Sequence, residues 1–512
     1  MSINPKGSLL DIAASRARLT PEKVGVVDYF GGERREFTFQ ELNSLAERVG
    51  GKLSSLGVRK GSRIAVIAHN SAEYLALYLA AAKTGYVLVP LNWRLPPEEL
   101  SFMVEDSRPS IIVYQEEFRS LAEESLARAK GLVGRVEMVE IGEVANNAEQ
   151  ASPPSSLGLE DPLMILYTGG TTGFPKGAII PYRQAIWNAV NTVLSWGLTP
   201  GDVGPIFFPF FHTGGWHVLT VPLYLAGGRL VLVPRFDPDE AIDVIERESC
   251  TVVIGVPTMF HDMAKSPKFE NAGFSSVRFF KSGGGMTPES VVRKYLEKGK
   301  PFYQGYGLTE AGPNLLYTPP ETLKEAPLSV GKASLFAELK IVREDGSEAG
   351  VGEVGELWVR GPIVFSGYLN RDKETRETLT SEGWVKTGDL FMRDGKGYYY
   401  FVERKKFMIK TGGENVYPSE VERAIRALDG VEEAVVFGVP DERWGEAVAA
   451  LVKPKPGETL TPADVRERLR RLIARYKIPK YVWIVDEIPR TPVGKIDYQS
   501  IKRAYSAKVA RK

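Results

Sequence analysis

The sequence predicts an α/β protein. A large N-terminal domain of mainly parallel sheets flanked by helices carries a β-barrel-like antiparallel region, and a small α+β C-terminal domain follows. Three observations predict it. Short apolar runs rich in β-branched and aromatic residues alternate with helical patterns through most of the chain. Near Ser329 the texture turns to Gly-rich, alternating segments. After Lys406 a smaller unit of different charge begins: residues 407–512 hold 20 Lys/Arg and 15 Asp/Glu, against 45 and 49 in the remainder. Strand–helix–strand order calls for right-handed crossovers and a sheet covered on both faces. Strands buried on both faces read as continuous apolar runs, as these do.

In order along the chain, the pattern predicts helices over Phe39–Leu56 and Ala72–Lys83 and strands over Arg63–Ile67 and Tyr86–Val89. Asn146–Ser156, with Pro153-Pro154 among small polar residues, reads as a linker or exposed loop. Strands follow at Leu163–Tyr167, Ala178–Ile180, Leu230–Val233, Thr251–Val256, Val277–Phe280 and Phe302–Gln304, with helices over Pro238–Glu248 and Pro288–Lys298. Glu356–Arg360 and Gly397–Phe401 belong to the antiparallel region. The last unit reads as helix Ser419–Leu428, strands Glu433–Val439 and Ala447–Val452, helix Pro462–Arg475 and strand Tyr481–Val485. The expected domains are 1–405 and 407–512, meeting at residue 406.

Composition excludes several functions. Hydrophobic residues make up 43% and charged residues 25%, close to the globular average, so disorder and coiled coil are poor readings. Sixty-five basic residues against 64 acidic ones leave a net charge of +1, which disfavours nucleic-acid binding by bulk charge. Cys250 is alone, so neither an intramolecular disulfide nor a Cys-rich zinc site can form. It is read as a small apolar residue rather than a nucleophile. With only His69, His212, His217 and His261, a His-rich metal site is not expected. The N-terminus lacks a signal-like apolar core, and Tyr74–Ala82 is far short of the ~20 residues of a membrane span. A cytoplasmic protein without an integral membrane segment is expected.

The strongest local signal is Tyr167-Thr-Gly-Gly-Thr-Thr-Gly-Phe-Pro-Lys-Gly177, directly after a candidate strand. Its glycines admit a ligand close to the backbone, its threonines bring hydroxyl donors, and Lys176 brings a charge, so it reads as a polyphosphate cradle. It is not a P-loop: Phe174 and Pro175 separate Gly173 from Lys176, and no Ser/Thr follows the lysine.

The segment resembles the phosphate-loop motif of the adenylate-forming superfamily, which includes acyl-CoA synthetases and aryl-CoA ligases. The resemblance continues in order over essentially the whole chain. It takes in Phe208-Pro-Phe-Phe-His-Thr-Gly-Gly-Trp216, Lys281-Ser-Gly-Gly-Gly285, Tyr303-Gln-Gly-Tyr-Gly-Leu-Thr-Glu-Ala311 and Gly352-Glu-Val-Gly-Glu-Leu357. Further on come Trp384-Val-Lys-Thr-Gly-Asp-Leu390, Glu403-Arg-Lys-Lys406, Thr411-Gly-Gly-Glu-Asn-Val-Tyr-Pro418 and Pro489-Arg-Thr-Pro-Val-Gly-Lys-Ile496.

The resemblance implies a two-step ligase using ATP, Mg²⁺ and CoA: a carboxylate becomes acyl-AMP with loss of pyrophosphate, and the CoA thiol then displaces AMP. A carboxylate is a poor electrophile, so adenylation supplies a leaving group. Charge builds on phosphate oxygens, where fixed donors and cations act.

By resemblance, Thr168, Gly169, Gly170, Thr171, Thr172, Gly173 and Lys176 hold the phosphates. Gln304, Gly305, Tyr306, Asp389, Phe401 and Arg404 also bind ATP or AMP, with Tyr306 stacking on adenine and Asp389 taking the ribose hydroxyls, and Gly283, Gly284 and Gly285 form a wall on the adenine and acyl side. Thr309 bonds the α-phosphate, and Glu310 with Thr168 holds the metal. Lys495 bridges carboxylate and α-phosphate during adenylation only. Lys406 is the hinge on which the small domain changes pose. Lys410, Gly412, Gly413, Trp444, Tyr476 and Lys480 match positions near CoA; Ile478 stands where some relatives carry Arg. His212 lies between the acid and the CoA tunnel. Trp187, Phe211, His212, Trp216, Val256, Gly284, Gly307 and Leu308 match the acyl-pocket walls.

With no basic residue obvious among those walls, the expected acid is apolar: a medium-chain fatty acid, with an aryl or short-chain acid as the alternative. Acyl transfer to a carrier protein instead of CoA stays open, as does a homodimer. A non-catalytic nucleotide-binding protein is the reading from another class, and the presence of Lys176, Glu310, Asp389, Arg404 and Lys495 speaks against it.

Overall fold

The computed structural model describes residues 11–131, 136–146, 156–168, 175–411, 414–441, 445–470, 472–491 and 496–509. The chain divides into two compact units: Met1–Lys340 with Trp358–Thr387 and Lys396–Tyr399, and Ile341–Leu357 with Gly388–Gly395 and Tyr400–Lys512.

In the first unit a seven-stranded sheet runs in the order Gly367–Tyr368, Lys176–Pro181, Pro162–Thr168, Val87–Pro90, Arg63–Ile67, Ile111–Tyr114, Glu137–Glu140. From Pro162–Thr168 to Glu137–Glu140 the neighbours are parallel. Pro162–Thr168 and Lys176–Pro181 instead form an antiparallel hairpin, with Thr168 opposite Lys176. Helix Ala72–Thr84 makes one crossover; Ser71 caps its start through the Tyr74 N–H, and Gly85, left-handed at φ 79°, ends it. This helix is buried almost all round, consistent with a run too apolar to be amphipathic.

A second sheet orders Arg35–Thr38, Val24–Asp28, Arg229–Leu232 and Val203–Ile206, and a third pairs Val252–Gly255, Phe279–Ser282 and Phe302–Gln304 in parallel. Phe280, Phe302, Val253 and Tyr295 belong to one core behind this third sheet. The region after Ser329 is antiparallel where its pairs are described, as between Gly331 and Tyr399 and between Leu379 and Val385.

In the second unit, strand Val431–Asp441 pairs antiparallel with Gly445–Pro454, which pairs in parallel with Tyr481–Ile484. Successive residues of Val431–Asp441 feed two cores: Ala434 and Val436 pack with Val421, Ile425 and Val465, whereas Val435, Phe437 and Val439 pack with Ile501. That explains its unbroken apolar run. The helix expected over Pro462–Arg475 ends at Leu469. Val465 and Leu469 are buried and Ile473 still packs on the same core, but Leu472 is 54% exposed and the chain passes into the separate 3₁₀ turn Arg475–Lys477. Most of the expected linker Asn146–Ser156 lies outside the described residues.

Candidate active site

In the first unit the site forms where two connections approach the mouth of the antiparallel hairpin. Thr168 ends one strand and Lys176 begins the other. Gly169, Gly170, Thr171, Thr172 and Gly173, between them, lie outside the described residues. The second connection is strand Tyr306–Leu308, followed by the single 3₁₀ turn Thr309–Ala311. This turn folds back sharply because Gly307 is bare: a Cβ there would lie 2.1 Å from the Pro313 carbonyl oxygen. Two hydrogen bonds to its carbonyl oxygens pin the turn. Gln184 Nε2 donates to the Thr309 carbonyl at 2.8 Å, and the Phe365 N–H donates to the Glu310 carbonyl at 2.9 Å.

The Glu310 carboxylate accepts from the Tyr368 hydroxyl at 2.8 Å, and Thr168 Oγ1 stands 3.5 Å from the same oxygen. Thr168 Oγ1 also reaches the Lys176 carbonyl at 3.4 Å. The Lys176 ammonium lies 4.7 Å from the centre of the Tyr368 ring. Burial and the Glu310 charge push the Tyr368 phenol well above its ordinary range, so it stays protonated and donates. A carboxylate flanked by two hydroxyls is an all-oxygen donor set, which suits a hard cation such as Mg²⁺. Among the described residues no group of three or more His, Cys, Asp or Glu could hold a metal by itself.

Around this centre, Gly284 adopts φ 76°, a conformation that favours glycine, and a Cβ there would meet Val256 Cγ1 at 3.7 Å. Gly305 donates its N–H to the Ser282 carbonyl at 2.7 Å, tying the loop 283–285 to Gln304–Tyr306. Beneath them Lys281 is 4% exposed; its ammonium donates to Thr318 Oγ1 at 2.5 Å and lies 5.2 Å from the Trp196 ring centre. Burial lowers this ammonium to about 7.

Trp187 meets the Phe336 ring edge-on at 4.6 Å, and Asn191 Oδ1 accepts from the Phe336 N–H at 2.9 Å. Phe211 packs edge-on to His212 at 4.7 Å, and His212 is exposed. Trp216 is fully buried, stacked against Phe210 and Tyr78 and donating its indole N–H to the Phe210 carbonyl. Leu308 is half-buried. His217 is buried, which lowers its imidazole to about 4, and burial pushes the Cys250 thiol up.

In the second unit, Asp389 is buried and Arg404 Nε lies 3.3 Å from its Oδ1. Glu356 braces this pair from behind: it accepts the Gly388 N–H at 3.0 Å and the Lys405 ammonium at 2.8 Å, so each neighbour of the pair is tied to one carboxylate. Glu403 accepts the N–H groups of Arg404 and Ser419, both at 2.8 Å. Burial, with Asp389 adding to it, raises the Glu403 carboxyl. Phe401 packs edge-on to Phe391 at 5.7 Å.

Lys406 sits in the 3₁₀ turn Lys405–Phe407, its ammonium 4.9 Å from the Phe407 ring centre. Lys410 pairs with Glu344 at 2.9 Å, and Lys480 with Asp441 at 2.6 Å; Tyr476 is 44% exposed. Gly412, Gly413, Trp444 and Lys495 lie outside the described residues. Sequence reasoning did not single out Tyr368, Gln184 or Glu356. Glu356 was legible as part of Gly352-Glu-Val-Gly-Glu-Leu357, Gln184 only as one polar position of a helix, and Tyr368 only as half of a Gly-Tyr pair.

Comparison with known proteins adds to this geometry. Residues 13–369 match the AMP-binding enzyme family and residues 420–495 the AMP-binding enzyme C-terminal domain. The chain is 36% identical over 490 residues to feruloyl-CoA synthase of an Amycolatopsis species, covering 96% of this chain and 97% of that protein. It is 34% identical over 484 residues to the long-chain-fatty-acid–CoA ligase FadD13 of Mycobacterium tuberculosis, covering 93% and 94%. Among solved structures, O-succinylbenzoate coenzyme A synthetase (MenE) of Bacillus subtilis in complex with ATP and magnesium ion superimposes with a TM-score of 0.83 at 29% identity, covering 95% of this chain and 98% of that one.

Proposed function

The chain belongs to the AMP-binding enzyme family and is an AMP-forming acyl-CoA synthetase working with ATP, Mg²⁺ and CoA; from that premise we propose which acid it takes and what its residues do. The acid is an aryl acid with an apolar body. Its carboxylate oxygen attacks the α-phosphorus of ATP, the bond to pyrophosphate breaks, and acyl-AMP forms. The CoA sulfur then attacks the acyl carbon, loses its proton, and the bond to AMP breaks.

The observation that carries the first half-reaction is the cluster of Glu310, Thr168, Tyr368 and Lys176 at one hairpin mouth. Bound there, Mg²⁺ would neutralise phosphate charge, held by Glu310 with the Thr168 hydroxyl beside it. Lys176 and the glycine-threonine loop 169–173 bind the phosphates. Thr309 donates to the α-phosphate. Tyr306 and Gly283–Gly285, with Gln304 and Gly305, form the adenine side. Asp389 accepts from the ribose hydroxyls, Arg404 lies beside it, and Phe401 packs next to them. Lys495 brings one compact cation to the reacting carboxylate and phosphate.

For the second half-reaction the small domain, 407–512, turns about Lys406. Gly412 and Gly413 then leave room for pantetheine, Trp444 and Tyr476 pack on CoA, and Lys410 and Lys480 meet its phosphates. His212 stands at the tunnel mouth. The acid rests among Trp187, Phe211, Val256, Gly284, Gly307 and Leu308, with Trp216 behind them.

The feruloyl-CoA synthase of nearly equal length supports the aryl acid, and so does the aromatic pair Trp187–Phe336. A medium-chain fatty acid is the second reading, supported by the fatty-acid relative and by the three small residues Gly283–Gly285. Among the described residues no helix is long and apolar enough to cross a membrane.

The test is pyrophosphate release with hydroxycinnamic acids and with saturated acids of six to twelve carbons, each with CoA, without it, and with a carrier protein in its place. Aryl acids are expected to give kcat/KM at least about tenfold higher, a difference of ~1.4 kcal/mol that one or two pocket contacts can supply. The reverse order would select the fatty-acid reading, and thioester formation on the carrier protein alone would remove CoA from the scheme.

A further inference from the structure

Two opposite charges face the same mouth of the phosphate-site hairpin, and elementary electrostatics says they should collapse onto each other. Lys176 and Glu310 are each needed for a ligand, phosphate for one and metal for the other. An ammonium and a carboxylate left side by side in a half-buried site would pair and cancel. Among the described residues Lys176 makes no ion pair with any carboxylate. The group that meets both is Tyr368.

The placement of Tyr368 follows from strand pairing. Gly367–Tyr368 adds to the open edge of Lys176–Pro181, with Tyr368 opposite Ala178 and the Leu369 N–H donating to the Gly177 carbonyl at 2.8 Å. Its own N–H donates to Thr375 Oγ1 at 2.9 Å. The ring is 8% exposed, and a buried phenol needs a partner for its hydroxyl. That partner is the Glu310 carboxylate, at 2.8 Å. The ring carries the Lys176 ammonium at 4.7 Å, within the ~6 Å reach of a cation–π contact. One side chain thus satisfies the acid with its tip and the base with its face.

We infer that Tyr368 is a positioning residue that keeps Lys176 and Glu310 apart, pinning one carboxylate oxygen so that the other faces the metal and holding the ammonium ready for phosphate. This rests on the reading of Glu310 as the metal-side carboxylate. In this role Tyr368 contacts neither the substrate acid nor the nucleotide and acts only through Glu310 and Lys176. The hydroxyl serves the metal and the ring serves the phosphate, so the two functions are separable by substitution.

The experiment uses the full-length enzyme and compares Tyr368→Phe, which keeps the ring, with Tyr368→Leu, which keeps neither group. The readouts are the Mg²⁺ concentration for half-maximal pyrophosphate release, the KM for ATP at saturating Mg²⁺, and thioester formation from supplied acyl-AMP. Tyr368→Phe is expected to raise the Mg²⁺ requirement about tenfold, the scale of one charge-assisted hydrogen bond, and to leave the ATP KM within about twofold. Tyr368→Leu is expected to raise the ATP KM a further ~5–10-fold through the lost ring and the newly paired lysine.

Thioester formation from acyl-AMP should be unchanged in Tyr368→Phe; its loss would mark a merely structural role and overturn the inference. An unaltered Mg²⁺ requirement in Tyr368→Phe would overturn it too, and if Tyr368→Leu does not fold, that comparison decides alone. Glu310→Gln separates the two levels. If it leaves the Mg²⁺ requirement untouched, the reading of Glu310 fails; if it raises the requirement while Tyr368→Phe does not, only the role of Tyr368 fails.

Discussion

Lys281 carries an ammonium where water cannot follow, and the cost should be visible as a pH dependence. Its pKa falls from 10.5 in the unfolded chain to about 7 in the folded one, because burial penalises the charged form. Between those values the unfolded state binds the extra proton, so this residue makes stability rise with pH from about 7 towards 10.5. Below about 7 the full penalty applies, on the order of 3–5 kcal/mol. Lys281→Met is expected to raise the free energy of unfolding at pH 6 by about 2 kcal/mol or more and to flatten its rise between pH 6 and 9. Denaturant titrations at several pH values measure both, and an unchanged slope would sink the assignment. The lysine itself was legible in Lys281-Ser-Gly-Gly-Gly285, but its burial was not. The neighbours that enclose it, Thr318 and Trp196, come from distant segments with no motif of their own. The roles proposed for Glu310 and Lys176 come from resemblance, whereas the phenol beside them depends on a pairing register that composition does not encode.

Elements were readable in proportion to how much apolar surface each one buries. Val431–Asp441 and Phe279–Ser282 are packed into cores, and their sequences announce it. Gly367–Tyr368 is two residues long, too short to have a period, and its edge pairing is what brings the Tyr368 hydroxyl to Glu310. The helix over Pro462–Arg475 overran because charged residues and Ile473 continue a helical texture past Leu469, where the regular helix stops short of the 3₁₀ turn Arg475–Lys477. Helix Pro418–Arg426 offers a test at this scale. On its inner face Glu422 is buried, accepting the Val436 N–H at 2.9 Å and the Arg426 guanidinium at 2.9 Å. Burial pushes its carboxyl up to about 7 from 4.5. The folded state therefore holds the extra proton between those values, so stability falls as pH rises through that window, by about 3 kcal/mol. Glu422→Gln keeps an acceptor for Val436 and removes the titration. Urea midpoints at pH 5.5 and 7.5 should converge in this variant and differ in the parent; equal midpoints in the parent would refute the assignment.

For the whole molecule, the two half-reactions make incompatible demands on one site. Acyl-AMP formation needs a cation against the carboxylate and α-phosphate, and thioester formation needs that same space open to a thiol. A single rigid arrangement serves one demand at the expense of the other, so the reaction calls for two poses and a joint between them. The proposed joint falls at Lys406, in the 3₁₀ turn Lys405–Phe407; beside it Glu356 holds the Lys405 ammonium and Phe407 stacks on Tyr498 at 4.6 Å. The resemblance implies this division of labour, with Lys495 and the Thr411-Gly-Gly413 segment both on the C-terminal side of Lys406. What no motif states is how firmly the joint is held. Proline at 406 would lock its φ near −65° and push Lys405 towards extended backbone, limiting the rotation a hinge must absorb. Lys406→Pro is expected to keep pyrophosphate release within about threefold and to slow thioester formation by about 100-fold, a barrier increase of ~2.7 kcal/mol. Lys495→Ala should show the opposite split, with adenylation reduced about 100-fold or more and thioester formation from supplied acyl-AMP largely retained. Both half-reactions are read on the same purified enzymes. If either variant lost both steps equally, the joint and the lysine would be structural, and the alternation of poses would have to be abandoned.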